Sequence, residues 1–210
     1  MRFGEVRGGP VREKSDAMRG FVAGFVAAIV LAALVIFLAI ETGSVPARAD
    51  GPLMPGEKWA SNTSLNATIR REEPKPPYPY YPPSDADLVQ GAKLYVQNCA
   101  VCHGVDHSSP DSIALGLGVR APQFTKHGVD DDPEGETYWK IEHGIRFTGM
   151  PAFDKSMDET SIWQLTYFLK RLPKQLPPAA LAIWNDPKSV APPTPIPQAS
   201  QSPGQGSTHP

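Results

Sequence analysis

The sequence predicts an all-α protein, a helical head held to a membrane by one N-terminal helix. A single uninterrupted apolar run lies near the start, no stretch sustains the apolar-polar alternation of a strand, and three central segments have recognisable helix ends. The chain has 210 residues, 24 of them proline, two cysteines and a formal net charge of −2. Such a length excludes most multidomain enzymes. A near-neutral balance without a basic block offers no electrostatic footprint for nucleic acid, and two cysteines exclude a disulfide-dense scaffold.

The apolar run is Phe21 to Ile40, without a charge or an ordinary polar group. As a helix it spans roughly 30 Å, the thickness of a bilayer's hydrocarbon core. Arg2, Arg7, Arg12, Lys14 and Arg19 precede it, whereas only Arg48 follows closely. Basic flanks stay in the cytoplasm, so the expected order is a cytoplasmic segment over 1–19, an anchor over 20–41 and everything later outside. A cleavable leader is the competing reading, since Ala47-Arg48-Ala49 has the small-x-small form of a processing site. Its apolar region exceeds the 7 to 15 residues usual for leaders. Either way the remainder reaches an oxidising compartment.

Residues 42–83 read as a proline-rich stalk. They end in Pro74, Pro76, Pro77, Pro79, Pro82 and Pro83, interleaved with Tyr78, Tyr80 and Tyr81. In polyproline II form, the stretch from Glu72 to Pro83 would extend about 37 Å. The tyrosines could instead pack on the head or bind a partner.

The head is expected over 84–173. Ser84 with Asp87 opens a first helix through Leu88, Ala92 and Tyr95. Asp132, Pro133 and Gly144 bracket a second. Ser156 with Glu159 makes a capping box for a third, Asp158 to Leu172, stopped by Pro173. Residues 174–210 read as a largely disordered tail in which only Ala179 to Trp184 has helical potential, docked by Leu181, Ile183 and Trp184.

Helices this short, separated by long Gly- and Pro-punctuated loops, lack core unless something fills the centre. Cys99-Ala100-Val101-Cys102-His103 supplies the candidate, because C-x-x-C-H reads as attachment of a c-type haem. On a helix the two sulfurs share a face at i and i+3, in reach of neighbouring vinyl groups, and His103 at i+4 points at the iron. A thioredoxin-type dithiol would want a preceding strand and a parallel sheet. A zinc site would need further ligands from His107, His127 or His143.

Gly91, Tyr95, the C-x-x-C-H-Gly104 run, the segment Gly144 to Phe153 and the trio Trp163, Tyr167 and Phe168 together resemble a class I cytochrome c. The likeness covers nearly all of 84–173 and is strongest to single-haem domains of membrane-bound bacterial respiratory assemblies. It implies one covalently attached haem c, held by Cys99, Cys102, His103 and Met150, with His103 and Met150 as the metal ligands and no catalytic residue. A flexible thioether in a Gly- and Pro-framed turn between helices suits that reach; Met157 and His143 are the rivals. The resemblance also implies close crossing of the first and last helices at Gly91, sealed by Tyr95, and a proline carbonyl accepting from His103, for which Pro110 and Pro122 both qualify. Tyr138 or Trp139 is expected to offer a polar tip to a haem propionate.

The expected function is transfer of single electrons between redox proteins, with no small-molecule substrate, because the sequence offers no acid, base or nucleophile constellation for one. The partners are then the lipid bilayer and membrane respiratory subunits, at the periplasmic side of a bacterial inner membrane. The head carries eight cations against thirteen anions, a balance suited to a basic docking face. The run Asp130 to Asp132 reads as a solvated turn. The rival expectation is a haem enzyme or gas sensor with an open iron, using His143 or Arg146 as distal polar group.

Overall fold

The computed structural model describes residues 10–105, 112–124, 129, 131–172 and 175–192. His107, Pro110, His127, Asp130 and the tail beyond 192 lie outside the described residues. All regular structure among them is helical, as the sequence predicts. The chain divides into two units, residues 1–48 and 49–210.

The first unit is α1, Pro10–Glu41. Its stretch Ala17–Glu41 is long and apolar enough to cross a membrane. Thr42 Oγ1 donates to the Leu38 carbonyl at 2.7 Å, and Gly43, at φ 68°, turns the chain out of the helix.

In the second unit, α2 spans Glu57–Glu72, α3 Asp85–Asn98 and α4 Ala100–His103. The short α5 covers Ser112–Leu115, α6 Glu134–His143, α7 Glu159–Arg171 and α8 Pro178–Asn185. α3 opens with a reciprocal box: Ser84 Oγ accepts from the Asp87 amide at 3.2 Å, and the Ser84 amide donates to Asp87 Oδ2 at 2.9 Å. The α7 cap differs from expectation. Asp158 Oδ1, not Ser156, accepts from the Ser161 amide at 2.7 Å; Ser156 is committed to the preceding turn, its hydroxyl donating to the Phe153 carbonyl at 3.3 Å.

α3 and α7 cross at Gly91, where a Cβ would stand 2.3 Å from the Gln164 carbonyl oxygen and 2.7 Å from Phe168 Cβ. Only hydrogen fits there. Around the crossing lie Leu88, Tyr95, Trp163, Leu165 and Phe168, each at most 1% exposed. α8 closes the other side of α3, its Trp184 ring 5.4 Å from Tyr95 and 6.0 Å from Phe168. Ala180 and Trp184 are its buried face; Leu181 is 38% exposed and does not dock.

The largest departure concerns the expected stalk. Residues 57–72 form a 16-residue helix that packs on α6 and buries Ile69. The prolines and tyrosines after it lie on the head instead of extending away. The Tyr78 ring sits 5.5 Å from Trp163, Tyr81 5.9 Å from Tyr167, and Tyr167 Oη donates to the Pro79 carbonyl at 2.5 Å. Burying aromatic area against α7 outweighs the solvation an extended polyproline segment would keep.

Candidate functional site

Cys99 ends α3 and begins α4, so the attachment motif occupies a single helical turn. The Cys102 and His103 amides both donate to the Cys99 carbonyl, at 3.0 and 2.9 Å. Gly104, at φ 72°, stops the turn where a side chain would be strained. Its carbonyl accepts the buried Tyr95 hydroxyl at 2.6 Å, which fixes α4 to α3. Burial places the Cys99 thiol at about 12, with the neighbouring Cys102 adding to the rise, and both thiols are free.

The loop 121–124 is stitched to the same turn. His103 Nδ1 lies 2.8 Å from the Pro122 carbonyl. A carbonyl only accepts, so Nδ1 carries the proton and Nε2 keeps its lone pair for a metal. Phe124 stacks on the imidazole at 4.6 Å and 10°, and Gln123 Nε2 donates to the Cys102 carbonyl at 2.9 Å. Burial pushes the His103 pKa down, with the Pro122 hydrogen bond acting against it.

Met150 approaches from a second loop. The Thr148 hydroxyl donates to the Ile145 carbonyl at 2.7 Å and accepts from the Met150 amide at 3.1 Å, and the Ile145 amide donates to the Met150 carbonyl at 3.2 Å. Gly144 is left-handed, and a Cβ there would strike Pro151 and Met150 backbone within 2.7 Å. Gly149 packs so closely on Leu117 that a Cβ would meet Cδ2 at 2.3 Å.

These loops enclose a cavity of about 600 Å³, within the range of ligand and cofactor sites. Cys99, Cys102, His103 and Met150 all line it. Met157, His143, Tyr138, Trp139 and Arg146 do not. Met157 is packed at the edge of the core, and His143 pairs with Glu142 at 3.3 Å and meets Trp139 edge-on at 5.0 Å. The Tyr138 hydroxyl donates to Glu142 at 3.0 Å. Among the described residues no cluster of three or more His, Cys, Asp or Glu side chains is arranged to hold a metal by itself.

The donor set suits a c-type haem: two thiols one turn apart, an imidazole with its outer nitrogen committed, and a thioether, around mostly apolar walls. Sequence reasoning missed Leu65, which reaches this cavity from α2. The available signal was a proline-free window, 57–72, with Leu65 and Ile69 at i and i+4. Asp132 was also undervalued, since it pairs with Lys140 at 2.9 Å, and both line the cavity.

Comparison with known proteins agrees with this geometry. Residues 86–169 match the family model described as cytochrome c oxidase, cbb3-type, subunit III. A curated relative from Azospirillum brasilense, the cbb3-type cytochrome c oxidase subunit CcoP, is 30% identical over 87 residues, which make up 40% of this chain and 28% of the relative. The chain thus spans less than a third of that relative's length. No solved structure matches. The family match falls on the residues that carry the C-x-x-C-H turn and nearly all of its cavity, within an all-helical architecture.

Proposed function

We propose that this protein is a membrane-anchored monohaem cytochrome c that carries single electrons between redox proteins at the periplasmic face of a bacterial inner membrane, as a relay within a respiratory complex. Residues 20–41 are the anchor, with the N-terminus cytoplasmic as the flanking charges require. Residues 84–173 would hold one haem c through thioethers to Cys99 and Cys102, with His103 and Met150 as its metal ligands. The observation that carries this reading is the convergence of those four side chains on one cavity, with His103 Nδ1 already committed to Pro122. The name of the Azospirillum relative, an oxidase subunit, supports placing the chain in a respiratory assembly.

When bound, the haem supplies a one-electron ferric/ferrous couple. The chain's own residues do the rest. The Pro122 carbonyl fixes the tautomer and orientation of His103. Apolar walls and a neutral thioether disfavour the extra charge of the ferric state, so the expected potential is high. In this reading the protein acts as a carrier, with the haem couple and not a side chain taking up the electron.

The test is optical spectroscopy of the full chain purified from cells competent in haem attachment, oxidised and dithionite-reduced, with and without CO. Wild type is expected to give haem c bands that ignore CO. Met150→Ala is expected to lower the potential and admit CO. A wild-type spectrum that shifts with CO, or a Met150→Ala potential equal to wild type, would assign the distal position to something else.

A further inference from the structure

We propose that residues 49–83 form a collar that closes one side of the haem cavity, and that Leu65 is the collar side chain that keeps water from the cofactor. This inference rests on the haem-binding reading above and deepens it. Among the described residues lining the cavity, Leu65 alone comes from outside the segment matched by the family model, 86–169. That part of the wall is therefore supplied by α2, ahead of the matched segment.

The collar is anchored along its length at separate places on the head. The Ala49 carbonyl lies against Gly118, where a Cβ would stand 2.7 Å from its oxygen. Ile69 of α2 is 2% exposed. The Pro74 carbonyl fills a second backbone notch at Gly135, 2.1 Å from where a Cβ would stand. Tyr78 then rests on Trp163, Pro79 accepts from Tyr167, and Thr160 Oγ1 donates to Tyr80 Oη at 3.2 Å. A loose tether has no use for two glycine notches and a run of aromatic contacts. These anchors hold α2 in register on α6, and with it Leu65 at the cavity.

Water beside a haem stabilises the more highly charged ferric form, so an apolar side chain that excludes it raises the potential. Leu65 is only half-buried, and replacing it leaves the core intact, so its effect is readable separately from folding. The experiment is a potentiometric titration of the haem-loaded full chain as wild type, Leu65→Ser, Leu65→Met and Gly135→Ala. Leu65→Ser is expected to shift the midpoint potential negative, by more than the scatter between wild-type titrations, with the axial-ligand bands unchanged. Leu65→Met, which conserves volume and apolarity, is expected to keep the wild-type potential. Gly135→Ala, which displaces the collar from outside the cavity, is expected to shift it in the same direction as Leu65→Ser.

A Leu65→Ser potential equal to wild type overturns the proposal, whether or not Gly135→Ala folds. So does a Leu65→Met potential as low as that of Leu65→Ser, because volume and apolarity would then not be what matters. CO binding by wild type counts against Met150 as ligand and not against the collar, whose readout is the difference between variants of one chain.

Discussion

Asp87 illustrates how much a single half-buried carboxylate does in this head. Its Oδ2 accepts from both the Ser84 amide and the Ser84 hydroxyl, at 2.9 and 2.6 Å, while Oδ1 accepts from Gln164 Nε2 at 3.0 Å. One side chain thus caps α3 and ties it to α7. The Ser84 side-chain hydrogen bond lowers the Asp87 pKa most, Gln164 adds to this, and burial opposes both. A carboxylate lowered in the folded state contributes stability that is present above the unfolded value, about 3.9, and lost as pH falls through the folded one. Asp87→Ala is expected to cost about 1 kcal/mol at pH 7, the usual worth of a helix cap. In denaturant unfolding of the haem-loaded chain, the gap between wild type and variant should narrow below about pH 4. A gap as wide at pH 2 as at pH 7 would show that ionisation of Asp87 is irrelevant.

The α3–α7 crossing sets two elementary effects against each other. Glycine inside a helix is worse than alanine by about 1 kcal/mol, so propensity alone makes Gly91→Ala stabilising. The contact at 2.3 Å from the Gln164 carbonyl says otherwise, because backbone must move to admit a methyl group. Overpacking costs about 1 to 3 kcal/mol, and with backbone as the obstacle a net loss of about 2 kcal/mol is expected for Gly91→Ala. Chemical unfolding at neutral pH decides the sign; a more stable variant means the helices separate freely.

That crossing came from the family resemblance, whereas α3, α6 and α7 were legible from local signals, because Ser84, Pro133 and Gly144 act within a few residues of the helix ends they define. The attachment turn was legible for the same reason, its three side chains lying within one turn of α4. What escaped depends on partners distant in sequence. α2 has a narrow apolar face, Leu65 and Ile69, which means little until α6 and the cavity lie beneath it. The notches at Gly118 and Gly135 are invisible without the carbonyls of Ala49 and Pro74 that occupy them. The choice between Pro110 and Pro122 turned on loop conformation, and His103 meets Pro122. In α8 the apolar residues were seen, but with Ala180 and Trp184 facing α3, Leu181 falls to the side of the buried face and stays exposed.

At the scale of the molecule, the cavity decides whether the head folds alone. Its volume is about 600 Å³, and at about 24 cal/mol per Å³ an unfilled space of that size costs up to about 14 kcal/mol, an upper limit because water enters the open side. Small domains have about 5 to 15 kcal/mol of stability in all. Even half of that penalty leaves the haem-free head marginal. The full chain made in cells without haem-attachment machinery is therefore expected to keep helical far-UV signal, from α1 in detergent and from residual α3 and α7, while losing near-UV aromatic signal. Trp163, Tyr167 and Trp184 report that loss directly, since each is at most 2% exposed in the folded head. Heating should give no cooperative near-UV transition, whereas the haem-loaded chain should give one. A haem-free chain that melts cooperatively within a few degrees of the loaded form would mean that the collar, α8 and the α3–α7 crossing suffice, and that the cofactor is a passenger in a fold complete without it.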